Sequence, residues 1–259
     1  MATIDIGDPL PNVAVQVENP VGTPADVGAM TLTITLPDGT TTSPAVTRTG
    51  VGAWTTTAPY LATMGGLHRL RWVATGTNAC VLEQWRSVGD PVDIAELRTS
   101  LKIVGTTSDD LLYRWAAAAT EWCENESGRA LRAQTVVDVK AGGKYAVPLS
   151  RRPVKSITSV QENGTTLTAS DYEVHPSTGL LYRGTARSGS TWAVGATAVR
   201  VTYVVDTDLV EARFPLAVTE YVRYLAAGYR GSSGQPAAGG SPQEALERAR
   251  ELIGARVPS

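Results

Sequence analysis

Lysine is scarce in this chain, with four in 259 residues, and lysine and arginine together number 23 against 25 carboxylates, for a net charge of −2. The first 90 residues hold four cations against seven carboxylates, and residues 91–259 hold nineteen against eighteen. Gripping DNA through its phosphates needs clustered cations that release counterions, so this balance argues against a nucleic-acid reader. It leaves room for a surface that DNA merely slides past. Histidine is confined to His68 and His175, each among strand residues. Two isolated imidazoles offer neither a metal cluster nor the neighbour that an activated serine or cysteine needs. The two cysteines, Cys80 and Cys123, are expected to be buried thiols and not a disulfide or metal pair. No apolar run approaches the ~20 residues of a membrane span, and Met1–Asp5 lacks the basic and apolar stretches of a secretory signal. The expectation is a globular protein made in the cytoplasm, with no membrane partner, no catalytic residue, no cofactor and no metal.

What the first third does contain is strand and turn. Val13, Val15 and Val17 alternate, and Thr31–Leu36 alternates into Pro37-Asp38-Gly39 and Thr40–Thr42, a hairpin signal. Further strand-like pieces are 52–56, 66–73 and 80–85. Short strands at even spacing predict a β-sandwich over residues 1–89, and its order resembles immunoglobulin-like accessory domains. Gly89-Asp90-Pro91 then interrupts, and helical periodicity begins, which sets a domain boundary there.

Residues 90–259 read as an α+β domain, a small helical bundle with a β insertion. Asp93 caps a short helix over 93–103 that carries Leu97 and Leu101 on one face. A longer helix, 108–127, opens with Ser108-Asp109-Asp110, suited to the positive end of the helix dipole. It repeats Leu111, Trp115, Ala118, Ala119 and Trp122 up to Gly128. A third helix, 209–228, presents Phe214, Ala217, Val218, Tyr221, Val222 and Leu225. Leu97, Leu101, Leu111, Trp115, Trp122, Val218, Tyr221 and Leu225 are the expected bundle core. Between these helices the insertion, 133–205, shows strands at 135–140, 145–147, 154–160, 172–174, 179–182 and 199–204, with Asn163-Gly164 as a type I′ turn. A Gly-, Ser- and Pro-rich linker over 231–240 leads to a last helix, 241–253. Ser241, Pro242 and Glu244 specify its start, and Leu246, Ala249, Leu252 and Ile253 form its stripe.

Three motifs tempt and are better explained locally. Gly142-Gly143-Lys144 lacks the rest of a phosphate loop and reads as a hairpin turn. Asp206-Thr207-Asp208 has metal-pair spacing but stands where a strand gives way to a helix, a capping position. Arg151-Arg152, the one tight basic spot, is either a solvated turn or a salt-bridge donor to a neighbouring subunit. The last helix has two readings also: its stripe seals an assembly contact, with Leu246, Ala249, Leu252 and Ile253 at a portal or neighbouring subunit, or it folds back on its own domain.

The helix pair, the exit Ser127-Gly128-Arg129-Ala130-Leu131, the proline-led strand Arg152–Val160, the strands around Tyr172 and Gly179-Leu180-Leu181, and the helix from Pro215 to Arg230 together resemble the head-to-tail connector (adaptor, head completion) proteins of long-tailed bacteriophages. The resemblance covers about 92–255. It implies a structural virion protein assembled in the host cytoplasm, a dodecameric homo-oligomeric ring beneath the portal protein, and a downstream stopper or tail-completion protein. DNA would pass through the lumen during ejection without sequence-specific binding. The rival reading is a carbohydrate- or cell-surface-binding sandwich, motivated by Trp54, Trp72 and Trp85.

Overall fold

In the computed structural model, alternation and turn chemistry lay down, among the described residues, four α-helices and fourteen strands, the strands grouped into four antiparallel sheets. The structure describes residues 4–11, 13–185, 190–205, 211–232 and 241–254. Two compact units result, one formed by 1–120 with 218–249, the other by 121–217 with 250–259.

The first unit contains a pair of sheets. One is β1(Ala14–Gln16), β5(Ala53–Thr56) and β4(Val46–Gly50), in that order; the other is β3(Thr41–Thr42), β2(Ala29–Thr35), β6(Gly66–Thr75) and β7(Cys80–Val88). The hairpin forms as its sequence predicts, with Ile34 facing Thr42 and Gly39 at φ 85°. Alternate residues of β2 and β6 (Leu32, Ile34, Leu70, Trp72) are sealed from solvent, and Val46 and Trp54 of the facing sheet pack on the same core. A sandwich is the outcome. Trp72 lies wholly inside and donates its indole N–H to Gln84 at 3.2 Å, while Trp54 packs against the core. The third tryptophan, Trp85, lies half-buried beneath the guanidinium groups of Arg69 and Arg114, at 5.8 and 5.4 Å. The aromatic platform that a sugar-binding sheet requires is therefore not built from these three rings.

Helix α1(Ile94–Ser100) starts at Asp93, whose carboxylate accepts from the Ala95 amide at 2.6 Å. It stops at Ser100, three residues before the expected end, with Leu101 as its C-cap, because Lys102 turns left-handed at φ 55°. Helix α2(Asp109–Ser127) matches its expected span and ends on Gly128, at φ 65°. Its first-turn carboxylates do more than complement the dipole. Asp109 holds Arg98 of α1 through two hydrogen bonds, 2.9 and 3.1 Å, and Asp110 accepts from the buried Arg86 at 2.7 Å and from the Trp85 amide at 3.2 Å. Arg86 also donates to the carbonyls of Pro11 and Trp85 and lies over the Tyr113 ring. These ties run across the Gly89-Asp90-Pro91 punctuation, so the boundary in chain order and the compact units are different divisions.

The buried face of α2 is rotated by one residue from the expected stripe. Leu112, Ala116, Ala119, Thr120 and Cys123 are sealed, whereas Leu111, Trp115 and Trp122 are half-buried and Ala118 is exposed. Bulk guided the sequence reading, but small residues let a neighbouring element approach closely, and the wide rings serve as flanks. Trp115 meets Tyr229 edge-on, with centroids 5.6 Å apart. Helix α3(Arg213–Ser232) buries Phe214, Ala217, Val218, Val222 and Ala226, with Tyr221 and Leu225 half-buried. The expected start of this helix at 209, the Asp206–Asp208 triplet and most of the 231–240 linker lie outside the described residues.

In the second unit β11(Thr165–Thr166), β10(Val154–Glu162), β14(Val199–Val205) and β8(Gln134–Lys140) form one sheet, and β12(Tyr172–His175), β13(Leu180–Arg183) and β9(Ala146–Pro148) the other. Val160, Leu181, Trp192, Val199, Val201 and Tyr203 fill the space they share. Asn163 and Gly164 both take positive φ, 49° and 82°, as a type I′ turn requires. Gly142-Gly143 is not a hairpin turn, because β8 and β9 belong to different sheets. Instead the glycines let another stretch of backbone dock on them: Gly142 donates to Gly195 O at 2.9 Å, and Gly143 to Trp192 O at 3.0 Å. A Cβ at residue 142 would stand 1.8 Å from the Ala193 carbonyl oxygen.

Two outcomes test this description. Leu112→Ala should cost about 2 to 5 kcal/mol in urea unfolding, and Leu111→Ala markedly less; equal costs would restore the original face. His68 is sealed, and its Nδ1 meets Gly66 O at 3.1 Å while Nε2 has no partner among the described residues. Burial holds its pKa below the ordinary 6.5. The unfolded chain then binds the extra proton first, so stability is full above pH 6.5 and declines as the pH falls toward the lowered value. Thermal unfolding across that window should lose part of its slope in His68→Gln.

Candidate functional site

The residues that the sequence nominates for assembly are Arg151 and Arg152 and the stripe Leu246, Ala249, Leu252 and Ile253 of the last helix; the arginine turn adjoins the exit of α2, through Asn125. At the exit, Glu124 is 2 % exposed, in the final turns of α2, where the dipole disfavours a carboxylate. Its Oε1 accepts from the amides of Leu131 at 2.8 Å and Arg132 at 3.2 Å and from the Gln134 side chain at 3.3 Å; its Oε2 pairs with the Arg132 guanidinium at 3.2 Å. One side chain thereby folds the chain from helix into β8. Next to it, burial first and then Glu124 and Glu126 push the Cys123 thiol up to about 12, which leaves it unreactive.

A second polar knot fixes the arginine turn. Asp138 of β8 accepts from the Ser150 amide at 2.6 Å and from the Tyr203 hydroxyl at 3.1 Å, and that hydroxyl in turn accepts from the Arg151 amide at 3.0 Å. Burial, reinforced by Asp138, raises the Tyr203 phenol far above its usual range, so it remains a donor. Lys140 completes the knot on Ser150 Oγ at 2.5 Å. The Arg151 guanidinium is held by the Asn125 side chain and by Ser150 O. Arg151 is thus engaged within its own chain, and Arg152 uses its backbone carbonyl to receive the Ala130 amide at 2.8 Å. Both side chains keep partial exposure. Sequence reasoning found the basic pair but missed Glu124, Asp138 and Tyr203, whose only signal was that polar residues stand among strand and helix positions.

Helix α4(Pro242–Ile253) is capped as expected: Ser241 Oγ accepts from the Glu244 amide at 3.2 Å, and Glu244 returns to the Ser241 amide at 3.3 Å. Its stripe divides. Ala249 is fully buried and Ile253 is 5 % exposed, so the chain itself covers them, while Leu246 and Leu252 remain half-buried. The fold-back reading describes Ala249 and Ile253; only Leu246 and Leu252 keep surface for a partner.

Helices α2 and α3 run antiparallel. Trp115, early in α2, meets Tyr229, late in α3, while Arg129, just past the end of α2, pairs with Glu211 at 2.9 Å and lies 6.0 Å from the Phe214 ring at the start of α3. The β insertion therefore leaves and re-enters at one end of a helix pair. His175, exposed, contacts the hydroxyls of Ser177 and Thr178 at 3.3 and 3.0 Å. Among the described residues no group of His, Cys, Asp and Glu is arranged to hold a metal ion, and no helix is long and apolar enough to cross a membrane.

No protein-family model matches the chain, and no curated protein matches it. Two of the solved structures similar to it are the following. One is a chain from the neck of an empty GTA (gene transfer agent) particle computed with C6 symmetry, at 18% identity and TM-score 0.45, covering 66% of this chain and 93% of that one. The other is a DUF4785 family protein from Legionella pneumophila subsp. pneumophila strain Philadelphia 1, at 11% identity and TM-score 0.23, covering 74% of this chain and 42% of that one. TM-scores below 0.5 specify neither a fold nor a function by themselves.

Glu124→Ala would take the acceptor from the Leu131 and Arg132 amides in a buried setting and remove the carboxylate beside the Arg132 guanidinium. It should cost about 3 to 5 kcal/mol in denaturant unfolding, whereas Arg152→Ala should change stability by less than about 1 kcal/mol.

Proposed function

We propose that the protein is a structural, non-catalytic component of the head-to-tail junction of a phage-like particle, a connector (adaptor) that forms a homo-oligomeric ring beneath the portal. The observation that carries this reading is the antiparallel α2–α3 pair with the β insertion connecting the end of α2 to the start of α3. Four segments of the family resemblance fall on helices and strands: α1 and α2 for the helix pair, β10 for the proline-led strand, β12 and β13 for the Tyr172 and Leu180-Leu181 strands, and α3 for the last segment; the exit Ser127–Leu131 is the connection from α2 toward β8. In this reading the ring is dodecameric, built of heterologous contacts that close, with the portal protein above and a stopper or tail-completion protein below. The near balance of 23 cations and 25 carboxylates suits a lumen through which DNA passes without being held. The sandwich over 1–89 acts as an immunoglobulin-like accessory module on the ring exterior.

The test is assembly on the partner. Incubated with its portal protein, the chain should co-sediment and add a ring below the portal in negative-stain images. A chain that stays monomeric beside the portal and instead binds glycans would replace this reading with the carbohydrate-binding one.

A further inference from the structure

Among the described residues eight strands stand at the edges of the four sheets. An edge strand turns every second N–H and C=O away from its neighbour, which makes it a template for further pairing unless something blunts it. Seven of these edges are blunted. β3 and β11 have two residues each, and β1 has three. β9 ends in Pro148, β4 carries Arg48 and a register shift before Gly50, and β12 has four residues with Glu173 exposed among them. β7 is covered, its Trp85 amide donating to Asp110 of α2 at 3.2 Å.

β8, in the second unit, has none of these devices. It runs seven residues, Gln134–Lys140, contains no proline and pairs with β14 without a register shift. Among the described residues no backbone hydrogen bond reaches its outer side. The side chains on its solvent face are Thr135, Val137 and Val139, all uncharged, with the two valines 50 % and 49 % exposed. Its charges are occupied elsewhere: Asp138 is buried on the opposite face, held by Ser150 and Tyr203, and Lys140 rests on Ser150 Oγ.

We infer that β8 is a self-association edge, on which β8 of a second copy of this chain pairs antiparallel about Val137. The register argues for this occupant. A two-fold axis at Val137 engages all seven residues: Val137 faces its own copy, Thr135 faces Val139, Val136 faces Asp138 and Gln134 faces Lys140. β-branched side chains then meet on the solvent face, and no two like charges stand opposite. An axis at Asp138 would set two buried carboxylates against each other, and one at Val136 would leave Val139 and Lys140 beyond the partner strand. The antiparallel pair continues the order β11-β10-β14-β8 into the same strands reversed, with both solvent faces on one side. Such a contact is isologous, whereas the ring proposed above closes through heterologous ones. The inference therefore does not rest on the ring reading, and it describes the free chain.

The test is sedimentation velocity of the full chain over a concentration series, read together with amide hydrogen exchange. The expected result is a monomer–dimer equilibrium with a midpoint below about 1 mM, in which alternate amides of 135–139 exchange more slowly as dimer accumulates. Val137→Lys sets two ammonium groups opposite each other and should weaken the dimer at least about tenfold, and Val137→Glu should do the same with two carboxylates. A mixture of the two variants should recover the dimer, because lysine then faces glutamate, and damage to the fold of either variant would not be undone by mixing. A chain monomeric at about 1 mM, a dimer indifferent to Val137→Lys, or variants that stay apart when mixed would overturn the inference. So would a monomer whose attachment to portal protein is lost in Val137→Lys, since the edge would then belong to a strand of another protein. A Val137-dependent dimer that adds no ring to the portal supports this contact and counts against the ring reading alone.

Discussion

A carboxylate in the last turns of a helix faces the negative end of the dipole, and a buried one also forfeits its hydration. Glu124 accepts both costs, and the rest of the second unit follows from how they are offset. The groups that satisfy it are brought around by the chain after Gly128: two successive amides, one guanidinium and one amide side chain. Meeting that demand fixes the direction in which residues 131–134 leave the helix, and hence the plane of β8, to which β14 and β10 pair in turn. The Asp138–Tyr203–Arg151 knot then repeats the device one strand further on, with a buried acid that organises backbone it does not belong to. Polar groups here set geometry, while the apolar core supplies the bulk of the stabilisation.

The same logic ties α1 and α2 to the sandwich. Asp109 and Asp110 diverge on the helix, and the divergence is used: one points to α1, the other to β7. A pair of adjacent acids that chemistry would dismiss as a catalytic couple becomes a two-way bracket.

Much of this architecture was legible in the sequence, because local signals and tertiary demands agree. Gly39, the Asn163-Gly164 pair, the Asp93 cap and the Ser241–Glu244 box all act where turn and capping chemistry places them. Reading failed where the deciding factor was a partner distant in sequence. The α2 face was misassigned by one residue because alanines gain their value from what comes close to them, which periodicity of large side chains does not report. Gly142-Gly143 was read as a turn because nothing local reveals that residues 192–195 lie against it. Arg151 looked available because its Asn125 and Tyr203 partners are separated from it by 26 and 52 positions. Of the assembly surface, the cap of α4 could be foreseen, but the division of its stripe into covered and open halves could not.

Gly142 also has a genetic consequence. Every single-nucleotide change that alters a glycine codon to another amino acid installs at least a Cβ, and here even alanine's methyl would fall 1.8 Å from the Ala193 carbonyl oxygen, far short of the 3.0 Å that such contacts keep. The neighbour is main chain and has no rotamer to yield. That codon therefore has synonymous neighbours and broken ones with nothing between. Drift can exchange Val137 or Val139 for another β-branched residue on the exposed side of the same sheet edge, while a few positions on it has no neutral step to take.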